Sequence, residues 1–78
     1  MVFCNLLSSD GDKLIYAIGG SPEDVTGELA VNLRDGSFDL VKAPEKTKVY
    51  ARHIGAMLRK AQAKFEKGTY PERLAYEI

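Results

Sequence analysis

The chain has 78 residues, 45% of them hydrophobic and 28% charged, with eleven basic side chains balanced by eleven acidic ones. That composition is too apolar for a disordered chain and the length too short for a second core, so one domain spanning 1–78 is expected. A single cysteine, Cys4, excludes an internal disulfide, and neither a signal-peptide pattern nor an apolar run of roughly 18 residues is visible, which points to the cytoplasm and away from membranes.

A domain of this size buries only about 60% of the surface its unfolded chain exposes, so its stability is modest and homodimerisation would be a natural supplement. The charge is unevenly spread. Residues 1–44 carry three cations against seven carboxylates, whereas residues 45–67 carry seven cations against two.

Residues 2–7 and 13–18 are short apolar runs separated by Ser8, Ser9, Asp10, Gly11 and Asp12. Asp-Gly tolerates the positive φ of a tight turn, so the two runs are predicted to form an antiparallel hairpin. Gly19 and Gly20 close the second strand, and Ser21 before Pro22, Glu23 and Asp24 reads as a capped single turn. In residues 27–33 Leu29, Val31 and Leu33 share one face with period two, the mark of a half-buried strand. A second Asp-Gly pair, Asp35-Gly36, then leads into residues 37–42, where Phe38 and Leu40 lie on one face.

The clearest signal is residues 45–67. Tyr50, Ile54, Met57, Leu58, Ala61 and Phe65 fall within one stripe of roughly 100° on a helix. Pro44 suits a first helical position, Glu45 favours the positive end of the helix dipole, and Gly68 follows Lys64 and Lys67 as a stop. Beyond it, Thr69 three residues before Glu72 suggests a capping box and a short final helix to about Tyr76, with Leu74 and Ile78 on one face. The alternation Leu74, Tyr76, Ile78 fits a strand equally well. The expected architecture is therefore α+β: a four-stranded antiparallel meander covered on one face by one long amphipathic helix, with a short C-terminal helix or strand.

No motif for catalysis, a metal or a cofactor stands out, and none of these is expected. Cys4 sits in an apolar strand and reads as a small buried hydrophobe, while His53, the one histidine, lies beside the apolar stripe with no orienting partner in sight for a Cys4–His53 pair. Asp10 and Asp12 lack the further oxygen ligands of a calcium loop, and Gly19-Gly20 lacks the Lys-Ser/Thr of a phosphate loop.

What remains is the outer face of the helix. Small Gly55, Ala56 and Ala63 among Arg52 and Arg59 would let a second backbone approach while the arginines clamp carboxylates, so the leading expectation is a small non-catalytic protein-interaction or regulatory domain, a homodimer among its forms. The alternative is a nucleic-acid binder using Lys48, Arg52, Arg59, Lys60 and Lys67. The same cations would also be satisfied by the acidic half of their own chain.

Overall fold

Strands with apolar side chains on alternate positions must bury one face, and here a single helix covers it. The computed structural model describes residues 1–77: β1 (Val2–Asp10), β2 (Lys13–Gly19), β3 (Gly27–Asn32), β4 (Phe38–Lys42), α1 (Ala51–Glu66) and β5 (Arg73–Tyr76). The fold is α+β. The first four strands form the expected meander, and a fifth joins it at the far edge of β1, giving the order β4-β3-β2-β1-β5 with every neighbour antiparallel. Edge strands β4 and β5 consequently run in the same direction, and α1 carries the chain from one edge to the other.

The core is built from one face of the sheet and one stripe of the helix. Val2, Cys4, Leu14, Tyr16, Ile18, Leu29 and Val31 meet Ile54, Met57 and Leu58, all buried, with Phe38, Phe65, Leu74 and Tyr76 packed partly buried around them. Full burial of an aliphatic side chain such as Leu14 or Ile54 contributes about 1.5–3 kcal/mol, so these contacts dominate the stability of so small a chain. The α1 axis runs nearest β5 and β1, which leaves the β3–β4 side of the same sheet face more open.

The turns follow from their residues. The β1–β2 ladder extends past the predicted end at Leu7 to Asp10, which pairs with Lys13, so the loop is only Gly11–Asp12, with the left-handed φ of +58° on Gly11. An irregularity between Leu6 and Ser8 turns Leu7 outward. In the β3–β4 turn, Asn32 accepts from the Arg34 N–H and Asp35 from the Ser37 N–H, each carboxamide or carboxylate standing in for a backbone acceptor.

One expectation needs correction. The helix starts at Ala51, six residues later than predicted, and Tyr50, counted in the apolar stripe, is its N-terminal flanking residue with an extended backbone and a ring 53% exposed. The cause lies in the β2–β3 loop. Asp24, only 4% exposed, accepts from the Lys46 and Thr47 N–H groups and from the Thr47 hydroxyl, and Thr26 accepts from the Glu45 N–H. Backbone donors committed to that loop cannot lead a helix there, and β-branched Thr47 and Val49 give little propensity to resist it.

The C-terminal segment, open between helix and strand in the sequence, is a strand. The helix stop at Gly68 holds: its φ is +79°, its N–H bonds to the Phe65 carbonyl and that of Thr69 to the Lys64 carbonyl, a Schellman closure. Thr69 is therefore occupied in ending α1 and does not cap another helix. The unpaired edge of β1 then takes up residues 73–76, with Leu74 opposite Cys4 and Tyr76 opposite Val2, so the period-two alternation decides the element. Ile78 lies outside the described residues.

Candidate functional site

The helix presents three surfaces besides the one in the core. Arg52, Ala56, Arg59 and Ala63 span about 60° at 100° per residue. Both arginines and Ala63 are exposed and Ala56 is half-buried, so the face expected to meet a partner is uncovered within the chain. Toward β4 lie Gly55, Gln62 and Glu66. Toward β5 lie His53, Lys60 and Lys64, with Lys67 just past the last turn.

Among the described residues no cation of α1 forms an ion pair. Among the described residues the ion pair seen is Arg34 with Asp12 at 3.4 Å, both of them in the acidic half. Arg52, Arg59, Lys60 and Lys67, named from sequence, are all exposed without such a partner, as is Lys64. Among the described residues none of the exposed carboxylates Asp12, Glu23 and Asp35 forms an ion pair with a cation of α1, although Asp35 lines the same cleft as Arg59. Lys48 needs separate treatment. It is exposed, but it lies in the extended segment before α1 and is not carried on the helical face the sequence assigned it.

The side of α1 toward β5 holds an arrangement that the sequence did not reveal. The Arg52 guanidinium stands 6.0 Å from the Tyr50 ring centroid, the Tyr50 ring 5.5 Å from that of His53 at 82°, and the His53 ring 5.8 Å from that of Tyr76 at 30°. The Lys60 ammonium closes the row 5.0 Å from the Tyr76 ring. Burial first, then the Arg52 charge and the chain's N-terminal ammonium, hold the His53 imidazole below its ordinary pKa of 6.5, so at neutral pH it is an uncharged ring within the row. Its Nδ1 is buried with no hydrogen-bond partner. The sequence hid this row because Tyr50 fits the core stripe by period and Tyr76 belongs to a segment whose type was open.

On the opposite flank a cleft of about 650 Å³ separates α1 from the β3–β4 turn. Leu33, Phe38, Leu58 and Phe65 give it an apolar lining, and Arg34, Arg59 and Glu66 stand among its polar groups. It opens because α1 leans toward β5, with the Phe38 ring reaching toward Gly55.

The other candidates resolve as structural groups. Cys4 is 2% exposed and burial pushes its thiol up to about 12, so it is protonated and unreactive at neutral pH. Among the described residues no hydrogen bond joins it to His53, and no three His, Cys, Asp or Glu side chains converge as metal ligands. No helix among them is long and apolar enough to cross a membrane. No protein-family model, curated protein or solved structure matches the chain.

Proposed function

We propose that the protein is a small binding domain whose basic helix face docks an anionic macromolecule. The observation that carries this reading is the set of exposed cations on and beside α1, Arg52, Arg59, Lys60, Lys64 and Lys67, none of them in an ion pair among the described residues. Unpaired cations held on one rigid helix raise the local concentration of a polyanion and steer its approach. The carboxylates that would compete are engaged elsewhere in two instances, Asp24 by loop donors and Asp12 by Arg34.

Retention on an immobilised polyanion at low salt tests it. The native chain should be retained, and Arg52→Glu with Arg59→Glu should elute earlier with an unchanged circular dichroism spectrum, since both side chains are exposed. Equal elution of the two would end the proposal.

A protein partner is the second reading, and the cleft is what favours it. An apolar side chain of the partner would enter between Phe38 and Phe65 while Arg59, at the border of cleft and outer face, clamps a carboxylate, and small Ala56 and Ala63 admit the partner's backbone. A second copy of the chain would satisfy the same chemistry.

A further inference from the structure

We infer that the row Arg52, Tyr50, His53, Tyr76 and Lys60 is a binding site for single-stranded nucleic acid, with bases stacking on Tyr50 and phosphates drawn to the cations of α1. This rests on the basic-face reading above and names its ligand class.

The argument joins two independent observations. One is charge: Arg52 and Lys60 stand in the row itself, Lys64 and Lys67 follow further along and just past α1, and all four are exposed, while the nearest acid by sequence is Glu77, just after Tyr76. The other is the aromatic surface. Tyr50 is left 53% exposed, so its ring is not fully buried against its own chain, yet it is held by the His53 ring on one side and the Arg52 guanidinium on another. Its orientation is set before any ligand arrives, which lowers the ordering cost of stacking.

An anionic partner that can use both features must offer flat π faces and regularly spaced negative charge together. An acidic protein surface offers carboxylates, but its aromatic rings are few and do not alternate regularly with its charges. A nucleic-acid duplex offers phosphates, but its base faces are stacked on one another. A single strand offers both, and base stacking on aromatic rings flanked by Arg and Lys is how such strands are held without regard to sequence.

The test is fluorescence anisotropy of a labelled oligo-dT roughly 12 nucleotides long against the intact chain. Neutralising about five phosphates should make binding about 100-fold weaker between about 50 and about 200 mM salt. Tyr50→Ala should weaken it about tenfold and Tyr50→Phe should leave it intact, because stacking needs the ring and not the hydroxyl. Lys60→Glu, at an exposed position, should weaken binding without touching the Tyr50 platform. An unchanged affinity in Tyr50→Ala, or a duplex of the same length bound as tightly as the strand, would overturn the inference. If polyglutamate binds and the oligonucleotide does not, the nucleic-acid inference falls and the basic-face reading stands; if neither binds at low salt, both fall.

Discussion

Asp24 and Thr47, 23 residues apart, are joined twice: the Asp24 carboxylate accepts from both the Thr47 N–H at 2.6 Å and the Thr47 hydroxyl at 2.7 Å. The same hydroxyl accepts from the Gly20 N–H at 2.8 Å, so one threonine relays between the end of β2 and the loop before β3. The Lys46 N–H and the Thr26 hydroxyl complete the shell around the carboxylate. This knot fixes where α1 begins, and therefore how Tyr50 and Arg52 are presented.

Removing the carboxylate strands several donors in a site from which water is largely excluded. Asp24→Ala should lower the thermal midpoint by roughly 10 °C. The conservative Asp24→Asn keeps one acceptor oxygen and should lose less. Thermal melts followed by circular dichroism decide this, and a midpoint unchanged in Asp24→Ala would show that the knot does not hold the segment.

Acid should act through the same group. The Thr47 hydrogen bond, foremost, then those of Thr26 and the Lys46 and Thr47 backbone, outweigh the opposing effect of burial and hold the Asp24 carboxyl down at about 2, below the ordinary 3.8. Between those values the unfolded chain binds a proton that the folded chain does not, so this contribution is complete above the unfolded pKa and is lost as pH falls toward 2. Urea unfolding at neutral pH and near pH 3 should show a smaller acid loss in Asp24→Asn than in the native chain. Equal losses would remove Asp24 from the account.

The fold was legible wherever periodicity and turn chemistry agreed. Leu29 and Val31 in β3, the Gly11 turn, and Ile54, Met57, Leu58 and Ala61 in α1 all lie where spacing put them. It misplaced the helix start and left the C-terminal segment undecided for one reason: local pattern does not know which long-range donors and acceptors are taken. Asp24 claims the amides of residues 46 and 47, and the free edge of β1 claims Arg73–Tyr76. The site was legible in its charge, since Arg52, Arg59, Lys60 and Lys67 are exposed as expected. Its aromatic half was not, because a row assembled from the helix entry, the first helical turn and an edge strand has no signature within any one segment.

Gly55 offers a stabilising change. It lies inside α1 with ordinary helical backbone, and a Cβ built there would meet the Phe38 ring at 3.8 Å, an ordinary van der Waals contact. Gly55→Ala should therefore raise stability by about 0.5–1 kcal/mol through helix propensity and a less flexible unfolded chain. Chemical denaturation measures it, and a loss of stability would mean that the packing between α1 and Phe38 is tighter than this geometry allows.

Tyr16 ties the sheet to the link between α1 and β5. Its side chain is fully buried, and its hydroxyl donates to the Pro71 carbonyl at 2.9 Å across 55 residues. Tyr16→Phe keeps the ring in the core and removes only that bond, so a loss of about 0.5–1.5 kcal/mol is expected. Because Pro71 lies two residues before the start of β5, faster amide exchange should accompany the loss at Leu74 and Tyr76 and not at Leu29 or Val31. Uniform acceleration across all five strands would assign the bond to global stability alone.

Cys4 should be silent to thiol reagents until the chain opens. It faces the core from β1, between Ile18 on β2 and Leu74 on β5, and with its thiol near 12 almost none is thiolate at neutral pH. Attack also requires the sulfur to reach solvent, so alkylation should proceed only through opening of β5 or global unfolding. The two routes are separable. If β5 opens on its own, labelling in native buffer accelerates in Tyr16→Phe and is unchanged in Gly55→Ala, whose helix stays folded in the opened state. If opening is global, the rates track stability across Tyr16→Phe and Gly55→Ala alike, the second slowing labelling as the first speeds it. Rapid labelling of the native chain under non-denaturing conditions would contradict both routes, and with them the position of Cys4 in the core.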